Sequence, residues 1–135
     1  MGVILDSSEA IRIERGGLDL AQYLDQLPGE PRLAAITVSE VAVGALLANT
    51  TERRDSRLQL LNDLLAIAPV IPFGEAEARV HAALRVTLRA TGESIGAADL
   101  LIAATALAHG HSVLTQNVRE FGRIGGLVVL TLDGA

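Results

Sequence analysis

Short runs of aliphatic and β-branched residues alternate along the chain with longer stretches whose apolar positions recur every three or four residues. That alternation predicts parallel strands joined by helices, with the sheet covered on both faces. Strands are expected at 3–5 (Val-Ile-Leu), 33–37 (Leu-Ala-Ala-Ile-Thr), 69–72, 112–115 and 127–130. The second follows the breaker Pro28-Gly29-Glu30-Pro31, and the third carries Pro69 and Pro72, which suit only an edge. Ser39 is placed to cap a helix running to about Asn49, and Thr51 to cap another whose Leu58, Leu61, Leu64 and Leu65 share one face. Gly74 precedes a helix that stops at Thr91-Gly92, the apolar segment 94–109 forms a helix closed by Gly110, and a short helix covers 118–121. With no internal repeat, low-complexity stretch or linker, a single domain over 1–135 is expected.

Composition narrows the chemistry. Half of the 135 residues are hydrophobic but only 2% are aromatic, so the core must be aliphatic. The absence of Cys excludes thiol catalysis, disulfides and thiolate metal sites. All eleven basic residues are Arg. Without Lys there is neither a P-loop nor a Schiff-base amine, and Arg does not deprotonate to replace them. The segment Met1 to Asp6 lacks a basic region and reaches an acid too early for a signal peptide. The apolar run 95–108 is too short to span a bilayer and contains Asp99. A cytoplasmic protein without a membrane partner is expected. The net charge of −5 argues against a broadly basic nucleic-acid-coating surface, but an acidic site is what an oxygen-ligated metal requires.

Three acids stand in apolar surroundings. Asp6 ends the strand Val3-Ile4-Leu5, Glu40 lies between Ile36-Thr37-Val38 and Val41-Ala42-Val43 at the expected first turn of its helix, and Asp99 interrupts Ile95 to Ile102. Asp6 and Glu40 follow strand ends, as do Asn117 and Glu120 after the fourth strand, and that edge is where open α/β sheets bind ligands. Each acid alone has an ordinary explanation: an Asx turn with Ser7 and Ser8 for Asp6, a favourable helix dipole for Glu40 and Asp99. Together they need one explanation for three apolar contexts. Converging carboxylates ~4 Å apart would repel by about 4 kcal/mol at an effective dielectric near 20, and a hard divalent cation removes that cost. Oxygen ligands without Cys point to Mg²⁺ or Mn²⁺ rather than zinc.

The order Ile4-Leu5-Asp6-Ser7-Ser8, Thr37-Val38-Ser39-Glu40, Ala98-Asp99-Leu100-Leu101-Ile102-Ala103-Ala104-Thr105-Ala106 and Leu114-Thr115-Gln116-Asn117-Val118-Arg119-Glu120-Phe121 resembles a PIN domain, and more narrowly the VapC toxins of bacterial toxin–antitoxin pairs. The resemblance covers essentially the whole chain. It implies a three-layer α/β/α sandwich around a parallel sheet of four to five strands, usually dimeric. It also implies metal-dependent RNA hydrolysis, inhibited by a VapB-type antitoxin whose tail enters the active-site groove. Carried over, the family's acids are Asp6, Glu40 and Asp99, with Asp6 and Asp99 as metal ligands, and Asp99 arrives at the same sheet edge as the others. Asn117 and Glu120 complete the catalytic set behind them. Asn117 is neutral and offers a metal only its carbonyl or a bound water, and Glu120 is a methylene longer than the Asp common there.

Other features carry less. Arg119 and Arg123 follow the last motif and either hold RNA phosphate or form a solvated helix face. His109-Gly110-His111 lacks a third ligand for a transition metal. Two alternative functions compete: a phosphotransfer enzyme with Asp6 as nucleophile, and a catalytically inactive PIN-fold module for RNA binding or interaction. The missing Lys counts against the first, and the three acids count against the second.

Overall fold

The computed structural model describes residues 1–132. Its elements run β1 (Gly2–Leu5), α1 (Ser7–Gly16), α2 (Leu20–Asp25), β2 (Glu30–Ala34), α3 (Ala35–Leu46), α4 (Thr51–Ile67), β3 (Val70–Ile71), α5 (Glu75–Thr91), α6 (Ala97–His109), β4 (Ser112–Leu114), α7 (Val118–Phe121) and β5 (Val129–Leu130). The five strands form one parallel sheet in the order β3-β2-β1-β4-β5.

Alternation along the central strands divides the core into two layers. Val3, Leu5, Leu33 and Leu114 face α1 to α4, meeting Ile13, Tyr23, Val41 and Leu64. Ile4, Ala34 and Val113 face α5 to α7, meeting Leu88, Ile102, Ala106 and Phe121. The result is the expected three-layer α/β/α sandwich. Among the described residues, no helix is long and apolar enough to cross a membrane.

Three local expectations are corrected. The second strand lies at Glu30–Ala34 rather than 33–37, and the helix expected from Ser39 already begins at Ala35. Pro31 is tolerated inside the strand because β3 pairs only with Leu33 and Ala34, leaving Pro31 on the half of β2 with a single neighbour. The β-branched run Ile36-Thr37-Val38 is helical because its residues pack between layers, and packing overrides propensity. The third correction concerns Asp6-Ser7-Ser8, which opens the helix α1 rather than a simple turn. Asp6 is its N-cap, and Gly17 closes it in the left-handed conformation at φ 57°. The short α2, capped by Asp19, was not anticipated either.

Phe121, fully buried between α6 and β5, anchors the four-residue α7 and the loop before it. Phe121→Ala is expected to cost about 3–5 kcal/mol, the range for emptying an aromatic core site. Urea denaturation monitored by circular dichroism measures it.

Candidate active site

The chain order of the strands reverses at β1, which lies between β2 and β4, and the carboxyl end of such a switch point is open for ligands. Asp6 occupies it. Its backbone N–H donates to the Leu114 carbonyl at 3.0 Å, extending the β1–β4 pairing by one residue. The side chain is 3% exposed. Oδ1 accepts from the Ser7 N–H at 2.8 Å, and Oδ2 accepts from the Ser8 hydroxyl at 2.9 Å and the Thr115 hydroxyl at 2.8 Å. A buried carboxylate with three donors is fixed in orientation, and the start of α1 adds its positive end.

The other acids stand on either side. Glu40 lies in the second turn of α3 rather than the first, because that helix begins at Ala35. The Ser7 hydroxyl donates to Glu40 Oε1 at 3.0 Å, so Ser7 spans the space between Asp6 and Glu40. Partial burial, reinforced by the charge of Asp6, raises the Glu40 pKa, and the Ser7 bond opposes that rise. Asp99 sits in the first turn of α6, and Glu120 on α7. The Asn117 amide nitrogen bridges them, donating to Asp99 Oδ2 at 2.9 Å and Glu120 Oε2 at 3.0 Å. In this structure Asn117 therefore acts as a donor between two acids. The Thr115 hydroxyl, which donates to Asp6, also accepts from the Asn117 N–H at 2.8 Å.

Electrostatics mark Asp99. Burial, a hydrogen bond with Glu120 and the charges of Asp6 and Glu120 push its pKa from 3.8 to about 7, against the Asn117 amide. Glu120 shifts the other way, held low by its hydrogen bonds with Asp99 and Asn117.

The five residues singled out in the sequence thus meet at one edge of the sheet. They form a row, Glu40–Asp6–Asp99–Glu120, rather than a closed cage, and no three His, Asp or Glu side chains among the described residues converge tightly enough to hold an ion alone. The donor set fits Mg²⁺ or Mn²⁺ nonetheless. Its ligands are all oxygen, and Mg²⁺ is usually held by one or two carboxylates plus water and substrate phosphate rather than by a full protein cage. His109 and His111 lie at the opposite end of the sheet, where His109 contacts Glu77 and His111 accepts from the Gly2 N–H. Sequence reasoning paired Ser7 and Ser8 with Asp6 only as a turn, not as holders of the acids, and it missed the roles of Thr115 and Glu9. All but Thr115 lie on α1, so only recognising that helix would have exposed them.

A PIN domain family profile matches residues 3–127. The chain is 36% identical over 133 residues to ribonuclease VapC1 of Rickettsia felis, covering 98% of each protein. It is 34% identical to ribonuclease VapC5 of Mycobacterium tuberculosis over 91% of its own length and 87% of that protein. Among solved structures, it superposes on a chain of VapBC-5 from M. tuberculosis, a VapBC-family toxin–antitoxin system, with a TM-score of 0.77 at 29% identity and 98% coverage of both.

A raised acid pKa makes the ionised group destabilising: Asp99 is neutral in its effect below pH 4 and costs stability increasingly as pH rises toward 7. Asp99→Asn is therefore expected to raise the melting temperature of metal-free protein at pH 8, with the gain fading toward pH 4. Calorimetry in EDTA at the two pH values checks this, and an equal loss at both would make Asp99 a structural residue. With the profile spanning nearly all of the chain and a relative more than one-third identical along its whole length, this chain belongs to the PIN-domain family.

Proposed function

We propose that this chain is an endoribonuclease, the toxin of a VapBC-type toxin–antitoxin pair, that hydrolyses RNA phosphodiesters with a divalent cation held by Asp6 and Asp99. The observation that carries the reading is the carboxylate row at the β1–β4 switch point, each acid held by a hydrogen-bond donor, with Asp99 and Glu120 sharing the Asn117 amide. The ribonuclease names of relatives aligned over nearly the whole chain support it. Mg²⁺ or Mn²⁺ would supply charge neutralisation at the phosphate and a water of lowered pKa. The protein's own part is positional. Ser8 and Thr115 aim Asp6, Ser7 holds Glu40 beside it, and Asn117 bridges Asp99 and Glu120, donating to both. The row is acidic enough to repel RNA without a cation, so substrate and metal are expected to bind together.

A groove of 230 Å³ between α1, α3 and α4 touches Ser7 and Glu40 and continues over Ile11, Val41, Gly44 and Leu60. Its apolar wall suits a segment of the proposed partner, a VapB-type antitoxin tail, with Glu40 at one end to receive an Arg or Lys and Glu14, Arg15 and Arg57 also lining it. We also propose a homodimer, supported by exposed apolar residues Val43, Leu46 and Leu47 at the end of α3.

Two experiments test these proposals. RNA cleavage should require Mg²⁺ or Mn²⁺, stop in excess EDTA, and fall in Asp6→Asn by more than the ~10–100-fold typical of outer-sphere partners. Undiminished cleavage in EDTA would remove the metal from the mechanism. In light scattering, the chain alone should show twice its 14.1 kDa mass, and more with the antitoxin encoded beside it. A monomer at micromolar concentration would refute the dimer.

A further inference from the structure

Glu9 is 0% exposed, three residues after Asp6 in the first turn of α1, yet takes no part in the carboxylate row. Its Oε1 accepts from the Gln116 side-chain amide at 3.1 Å. Its Oε2 makes no hydrogen bond; the nearest cation, Arg12 Nη1 at 3.6 Å, gives its shorter bond of 2.6 Å to the Leu132 carbonyl. The buried Tyr23 hydroxyl lies beside the same carboxylate. Burial and then the charge of Glu9 hold Tyr23 above the usual tyrosine range, so it stays protonated.

Even with Gln116 on one oxygen and Arg12 3.6 Å from the other, a carboxylate this deeply buried is costly, and an apolar side chain of similar volume is expected to pack at least as well. The bond to Gln116 is what an apolar residue cannot provide. Gln116 sits between Thr115, which donates to Asp6, and Asn117, which bridges Asp99 and Glu120. Ser8 holds the Gln116 main chain at 3.1 Å while Glu9 holds its side chain, so two adjacent residues of α1 grip one residue of the loop. The rest of the loop is held by Thr115, bonded to Asp6 and to the Leu130 carbonyl, and by the Asn117 amide on Asp99 and Glu120. Asn117 is the N-cap residue of α7 but makes no capping bond, because its amide is turned to the acids.

We propose that Glu9 is a positioning residue of the active site: through Gln116 it locks the β4–α7 loop to α1 and so sets Asn117, Asp99 and Glu120 against Asp6. The buried charge is kept for register between two halves of the site, which the Glu9–Gln116 bond joins across 107 positions. The consequence for cleavage rests on the ribonuclease reading; the consequence for loop order does not.

Glu9→Met removes the acceptor at nearly constant volume, whereas Glu9→Gln keeps an oxygen for Gln116. In single-turnover RNA cleavage, Glu9→Met should be slower by about tenfold or more, since misplacement by about 1 Å can cost ~10²-fold. The apparent affinity for RNA should stay within about twofold, marking a loss of positioning rather than of binding. The melting temperature should be equal or higher. Glu9→Gln should keep most of the rate, Gln116→Leu should lose as much as Glu9→Met, and the double variant should lose no more than either. In metal-free protein without RNA, backbone amide exchange at 116–118 should accelerate in Glu9→Met and Gln116→Leu, while β1 and α6 keep their protection. Unchanged loop exchange in both variants overturns the proposal, as does a rate loss shared in full by Glu9→Gln. If Glu9→Met does not fold, Gln116→Leu carries the same test. Failure of the wild-type chain to cut RNA would overturn the ribonuclease reading instead and leave the exchange measurement to decide the role of Glu9.

Discussion

Mutual repulsion among carboxylates is the constraint around which this molecule is arranged. Asp6, Glu40, Asp99 and Glu120 are drawn to one edge of a parallel sheet, where burial raises the cost of each charge. The structure meets that cost with donors rather than with cations. Ser7, Ser8 and Thr115 satisfy Asp6 and Glu40, Asn117 sits between Asp99 and Glu120, and burial raises the Asp99 pKa to about 7. No arginine ion pair reaches these acids among the described residues; the Arg12, Arg57 and Arg79 pairs go to Glu9, Glu14 and Glu75.

The same arrangement explains why the loop after β4 carries so many polar residues. Thr115, Gln116 and Asn117 reach three different places: Asp6, Glu9 and the Asp99–Glu120 pair. Phe121 then drives α7 into the core and gives the loop a fixed far end. Sheet pairing places Asp6 beside Leu114, and this loop links Asp6 to the Asp99–Glu120 pair.

The sheet, its covered faces and the acid set were legible in the sequence because each rests on a local signal. β-branched runs mark β1 and β4, and their alternation assigns the two layers. Asp6, Glu40 and Asp99 stood out because an acid in an apolar segment is a cost visible in one dimension. The bounds of β2 and α3 were not legible: a run such as Ala-Ile-Thr-Val suits either state, and only packing between the layers made it helix.

The amino-acid sequence by itself thus determined which groups this protein has to work with: oxygen ligands without thiols or amines, at the ends of strands in a doubly covered sheet. The tertiary structure alone decided which of them touch. Glu9 looks like a surface acid until α1 turns it inward, and Asn117 looks like a weak ligand until its amide lies between two carboxylates. The physical reason is that local propensity and periodicity act over a few residues. The bonds from Glu9 to Gln116 and from Thr115 to Asp6 join positions 107 and 109 apart, and only the pairing of β1 with β4 brings them together.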